Sequence, residues 1–183
     1  MKKGSKTRKK TLAKIYKESL GEKLIEAARI GDQETVEFLL RKGADIDARD
    51  GDGKTALMWA VNYSDDDMAR LLIMRGADVN AVDTYGGTAL MDAAHAGCDY
   101  IARFLLDSGA DVNAVGDGWT ALMWAAFHGR TGIARLLIER GADVSMEDKE
   151  GWSALDHAEN FKGSEAVAFL LRKAMKKVPK SNE

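Results

Sequence analysis

TALMWA is written twice in this chain, at Thr55–Ala60 and at Thr120–Ala125, and TALMDA stands between them at Thr88–Ala93. The three threonines are 33 and then 32 residues apart. A second phrase keeps the same step: GADID begins at Gly43, GADVN at Gly76 and Gly109, and GADVS at Gly141. Two independent phrases with one period mark an internal repeat, in which each unit is a small piece of structure that needs its neighbours.

The residues between the phrases have helical spacing. Ile101, Phe104, Leu105 and Leu106 form one apolar face, and Ile133, Leu136, Leu137 and Ile138 repeat it 32 residues later. Each threonine is placed to cap a helix, because its hydroxyl can accept from an unpaired backbone N–H in the first turn. Gly97 and Gly129 lie between paired helices, and Gly43, Gly76, Gly109 and Gly141 follow the second helix, where a left-handed residue commonly ends it. Alanine pairs at Ala93–Ala94 and Ala125–Ala126 allow close helix packing. The unit therefore reads as turn, short helix, turn, second helix. Two turns depart from the pattern. The turn at 115–118 is one residue shorter than the one at 82–86, so its tip should differ, and Ser64–Asp67 stands where other units have glycine, so that inter-helix turn is expected to be irregular.

This pattern resembles the ankyrin repeat, through nearly all of residues 20–172. The resemblance implies an all-α helical repeat solenoid with short β-hairpin-type turns, in a stack of about five repeats including both caps. The units are 20–48 as N-terminal cap, 49–81, 82–114 and 115–146 as repeats, and 147–174 as C-terminal cap. The family's proline after the threonine is Ala56, Ala89, Ala121 or Ala154 here, and its histidine is Met58, Met91, Met123 or Asp156. Alanine keeps the helix start, and methionine supplies packing instead of a polar link.

The resemblance also implies that hairpin tips and the inner face of the first helices line a concave groove. On this sequence the candidate partner-binding residues are Asp52, Trp59, Tyr63, Tyr85, Asp92, Asp117, Trp119, Trp124, Phe127 and Trp152. Thus the fifth letter of TALMWA is a position free to differ, Trp59 and Trp124 against Asp92. Tryptophan and tyrosine concentrate energy at interfaces. Interspersed acids add a preference for a partner presenting apolar and basic residues. The alternative is that the tryptophans stack along the solenoid and stiffen it.

Nothing in the sequence points to catalysis. There is no phosphate-cradling glycine loop, nucleophile elbow or HExxH phrase. His95, His128 and His157 are expected near the ends of successive first helices, which stand one helix diameter, roughly 10 Å, apart. That spacing is too wide for a shared metal. Cys98, the single cysteine, fits a packing role and a reducing compartment. The reading is a non-enzymatic chain with no cofactor and no metal, and with Asn80 and Asn113 holding turn backbone.

The net charge of −2 conceals an asymmetry. Residues 1–19 hold eight Lys/Arg against Glu18, and residues 172–183 hold five against Glu183, which leaves −13 on residues 20–171. Leu12, Ile15, Tyr16 and Leu20 have helical spacing, which predicts a short helix at 11–20 within the basic N-terminal extension. This extension and the basic tail at 175–183 are the parts suited to nucleic acid or anionic lipid. Solubility is the competing explanation for them. No stretch reaches the roughly 20 apolar residues of a membrane helix. The expected location is cytoplasmic, or nuclear in a eukaryote, and a monomer is the favoured state. The function expected is a scaffold for protein–protein interaction, as an inhibitor or regulator of its partner. The alternative is a nucleic-acid- or anionic-surface-associated regulator tethered by its basic N-terminal segment.

Overall fold

The threonine positions set the helix starts. Thr55, Thr88 and Thr120 each lie in extended backbone, with Oγ1 accepting from the N–H of Met58, Met91 and Met123 at 3.2–3.3 Å. Ser153 does the same for Asp156 at 3.3 Å, and Asp156 Oδ2 returns to the Ser153 N–H at 2.8 Å. These hydroxyls satisfy first-turn donors that otherwise have no partner.

The computed structural model describes residue 16 and residues 18–176. Its helices come in pairs: α1 (18–29) with α2 (Gln33–Arg41), α3 (Ala56–Asn62) with α4 (Asp66–Met74), α5 (Ala89–Ala96) with α6 (Asp99–Asp107), α7 (Ala121–Phe127) with α8 (Thr131–Glu139), and α9 (Ala154–Asn160) with α10 (Glu165–Met175). First helices α3, α5, α7 and α9 pack side by side in one layer, and second helices α4, α6, α8 and α10 form the other. The core lies between the layers. Leu57, Leu90 and Leu122 are fully buried at one register, and Leu72, Leu105, Leu137 and Leu171 at another. Each such leucine contributes about 1.5–3 kcal/mol relative to an exposed one. The alanines at 60, 93, 94, 125 and 126 are buried as well, which lets the first helices approach closely.

Chain reversals use the left-handed region where the sequence puts glycine. Gly43, Gly76, Gly109 and Gly141 all have φ between 84° and 92°. Between the helices of a pair, Gly97 has φ 90° and Gly129 φ 65°. The expectation of an irregular turn at Ser64 is overturned. Ser64 itself takes φ 56°, and its turn closes with Ser64 N to Val61 O at 2.9 Å and Asp65 N to Ala60 O at 2.9 Å. The matching bonds at Gly129 and Arg130 are 3.2 and 2.8 Å. Packing of α3 on α4 holds the standard turn, and serine bears the strain.

Each repeat is also tied to the next through polar groups. Asn80 Oδ1 accepts from the Asp111 N–H at 2.7 Å, and its Nδ2 donates to Gly109 O at 3.0 Å. Asn113 does likewise with Asp143 N–H and Gly141 O, at 2.8 and 3.4 Å. Both asparagines thus hold the backbone of the following repeat rather than their own turn.

The segment proposed as a helix at 11–20 lies mostly outside the described residues. Residues 18–20 are already part of α1, and Tyr16 is exposed. Residues 1–15, 17 and 177–183, which hold all eight Lys/Arg of the N-terminal segment and two of the five at the C-terminal end, also lie outside.

Candidate functional site

Four hairpins and four first helices face one side of the stack. Three of the four hairpins are built by an aspartate. Asp50 Oδ1 accepts from the N–H groups of Asp52 and Lys54 at 3.0 and 2.9 Å. Asp83 does so from Tyr85 and Gly87, both at 2.8 Å, and Asp148 from Glu150 and Trp152 at 3.0 and 2.9 Å. An aspartate that binds backbone two and four residues on fixes the turn without a regular strand ladder. The shorter hairpin has Gly116 in that register, paired with Trp119 across a two-residue tip in which Asp117 and Gly118 have φ 48° and 92°. Two successive positive φ values define the tight hairpin turn whose twist suits paired strands. The altered tip expected at 115–118 is therefore this turn.

The second oxygen of the hairpin aspartate reaches the fourth residue of the first helix. Asp50 Oδ2 accepts from Trp59 Nε1 at 2.7 Å. Asp148 Oδ2 lies 2.8 Å from His157 Nε2, with both side chains at most 5% exposed. His157 thus occupies the register of Trp59 and makes the same link. Burial pushes the Asp148 carboxyl up, but bonds from the Trp152 N–H, His157 and the Glu150 N–H outweigh it, and the group sits below the ordinary carboxylate range. An ionised Asp148 places the ring proton on Nε2. Asp50 is lowered in the same way, burial being outweighed by the Trp59 indole and by the Lys54 and Asp52 N–H groups.

The two middle repeats lack this link. At the fourth position of α5 stands Asp92, a second carboxylate near Asp83, and on α7 stands Trp124, whose hairpin offers Gly116 instead of an aspartate. Asp92 takes its partner from the preceding hairpin, Lys54 Nζ, at 3.3 Å. Burial holds the Asp92 carboxyl above its usual value against the pull of Lys54, and Asp83 adds to the rise. Between the second and third hairpins and α5 and α7 opens a cleft of about 310 Å³. Asp83, Tyr85, Asp92, His95, Asp117 and Trp124 are among its walls.

Nine of the ten candidate residues fall into three groups, two of which share Trp124. Trp59 and Tyr63 stack at 5.9 Å at the N-terminal end, with Arg29 Cζ 4.6 Å and Lys54 Nζ 5.7 Å from the Trp59 ring. Tyr85, Asp92, Asp117 and Trp124 meet at the cleft. Trp119, Trp124, Phe127 and Trp152 join a continuous strip of rings, through Trp119–Trp124 at 4.6 Å, Trp119–Phe127 at 5.6 Å, Trp119–His157 at 4.2 Å and Trp152–His157 at 5.4 Å. Asp52 stands apart, its carbonyl accepting from Thr84 N and Oγ1 at 3.0 and 2.9 Å. Asp117 is met by Lys149 at 2.5 Å.

Two expectations about histidine need correction. The rings of His95 and His128 are 4.5 Å apart, edge to face, because side chains at the ends of α5 and α7 reach across the gap that separates the helix axes. His128 Nε2 is buried without a hydrogen-bond partner, and burial, with His95 and Arg130 beside it, lowers its pKa. His157 is not near a helix end but at its fourth position, inside the ring strip. Among the described residues no three His, Cys, Asp or Glu side chains gather as a metal site. Cys98 precedes α6, with Sγ 3.1 Å from Ser64 Oγ. The hairpin aspartates were missed in the sequence, although an aspartate five residues before the capping Thr or Ser recurs at 50, 83 and 148.

A family model described as ankyrin repeats (3 copies) matches residues 24–116 and 113–181. The chain is 42% identical over 51 residues to the putative ankyrin repeat protein RF_p14 of Rickettsia felis, a match covering 28% of this chain and 81% of that protein. It is 51% identical over 45 residues to the ankyrin repeat domain-containing protein SAT10 of Stachybotrys chartarum, covering 25% of this chain and only 2% of that protein. No helix among the described residues is long and apolar enough to cross a membrane.

Proposed function

The chain belongs to the ankyrin-repeat family, whose repeats generally mediate protein–protein interaction, and on that premise we propose that it binds a protein partner through the centre of its concave face. The observation that carries this reading is the change at the fourth residue of the first helices. Trp59 and His157 are held by hairpin aspartates, whereas Asp92 and Trp124 flank an open cleft. The ring strip beside the cleft supplies rigid apolar area, and the acids supply a preference for basic groups. A stacked scaffold loses little backbone entropy on binding, so these contacts are realised as affinity. Occlusion of a basic surface on the partner is the regulatory role that fits this chemistry.

Affinity capture with the full chain tests the reading. A partner retained by the full chain and by a chain lacking residues 1–19, but lost by a folded Trp124→Ala/Phe127→Ala variant, is the expected result. Retention by that variant, with loss on deleting residues 1–19, would transfer function to the eight lysines and arginines of the N-terminal segment.

A further inference from the structure

The residue just before the capping Thr or Ser is Lys54, Gly87, Trp119 and Trp152 in the four hairpins. Three are large, and one has no side chain. Lys54 shows what this register can do. Its Nζ lies 3.3 Å from Asp92 Oδ2 and 5.7 Å from the centre of the Trp59 ring. It therefore sits between the fourth helix residue of its own repeat, an indole, and that of the next, a carboxylate.

One repeat along, the same register is again flanked by one carboxylate and one indole, now Asp92 and Trp124. The residue there is Gly87, and the space is the cleft already described, with Gly87, Asp92 and Trp124 all on its wall. A Cβ on Gly87 would meet the Asp83 carboxylate oxygens at 3.0 and 3.1 Å, so a side chain at this register would start against a second acid. The surroundings that hold a cation in the second repeat, where Asp50 is the hairpin acid, are thus reproduced in the third, where Asp83 is, but without the cation. The chain's own lysines act from outside: Lys54 reaches Asp92 from the hairpin before, and Lys149 reaches Asp117 from the hairpin after.

We propose that this cleft receives an arginine side chain of the protein partner, which fills in the third repeat the place that Lys54 fills in the second. A planar guanidinium can lie on an indole face while its N–H groups reach two carboxylates, here Trp124 with Asp83 and Asp92. Arg29, 4.6 Å over the Trp59 ring, shows the stacking half of that arrangement within the chain itself. The rings of Trp119 and Phe127 then lie alongside for an apolar neighbour of the arginine.

The proposal rests on the concave-surface reading and specifies its chemistry, so the test must separate the two. The full chain is panned against a random dodecapeptide library, and the enriched peptides are synthesised for fluorescence polarisation at moderate salt. The expected peptides share an arginine beside a bulky apolar residue. Replacing that arginine by citrulline, which keeps the shape and removes the charge, should weaken binding by about tenfold or more. Gly87→Lys, which supplies the cation from the chain, should weaken it comparably, as should Asp83→Asn, which keeps the hairpin acceptor and loses the charge. Unchanged thermal melting by circular dichroism shows that each variant is folded, and either folded variant alone decides. Peptides that need Trp124 but tolerate citrulline, or tolerate the folded variant, would overturn the arginine proposal and leave the concave surface standing. Peptides indifferent to Trp124→Ala, or a library that yields none, would count against both.

Discussion

The ends and the centre of the groove use the same framework for different purposes. At Trp59 and His157 a ring N–H is fixed by a hairpin aspartate, 2.7 and 2.8 Å away, and the fourth helix position is absorbed into the architecture. At Asp92 the hairpin offers another carboxylate, and at Trp124 the hairpin has lost the aspartate together with one residue. The difference teaches that a tryptophan in the repeated phrase is not one kind of residue. Trp59 and Trp124 occupy identical sequence contexts, TALMWA, yet one is tied to its hairpin and the other faces the cleft.

The comparison can be broken at its strongest point first. Asp148→Ala removes the acceptor of a buried His157 and of two hairpin N–H groups at once. A loss of about 2–4 kcal/mol in urea denaturation is expected, since buried partners are left unpaired. Asp50→Ala and Asp83→Ala sharpen the contrast. Both lose the two hairpin bonds, but only Asp50 also holds an indole. Asp50→Ala should therefore cost more, by about 1 kcal/mol, the usual worth of one such bond.

Acid titration gives a third handle. The folded pKa values of Asp50 and Asp148 lie below the ordinary value of about 3.9. Their contribution is complete above that value and is lost as pH falls toward the folded values. Melting temperature should accordingly drop below about pH 4, and Trp59→Phe should make that drop shallower by removing a donor from Asp50. Asp92 has the opposite sign. Burial raises its folded pKa, so the folded chain holds that proton more tightly and stability declines as pH rises through the window just above the ordinary value. Asp92→Asn should flatten that part of the curve.

Much of this was legible in the sequence because repetition makes local rules visible several times. The capping threonines and the glycines after the second helices follow from residues whose role is set within one turn. What was missed depends on contacts between elements. The Asp50–Trp59 and Asp148–His157 links join a hairpin to a helix nine residues on, and no local rule names a ring N–H as the partner of a turn aspartate. Ser64 was expected to disturb its turn, but the packing of two helices imposes φ 56° on it. The histidine spacing was judged from helix axes, whereas His95 and His128 meet through their side chains. The acids of the groove looked available as a set, and only the structure shows that Asp92 and Asp117 are each met by a lysine from an adjacent hairpin.

The most direct measurement compares Trp59→Phe with Trp124→Phe in urea denaturation followed by far-UV circular dichroism. Phenylalanine keeps an aromatic ring and removes the indole N–H from both phrases. The account predicts a loss of about 1–2 kcal/mol for Trp59→Phe, which leaves Asp50 Oδ2 without its donor, and a distinctly smaller change for Trp124→Phe. Equal losses would contradict it, because both tryptophans would then serve the framework alike and the centre of the groove would have no position released for a partner.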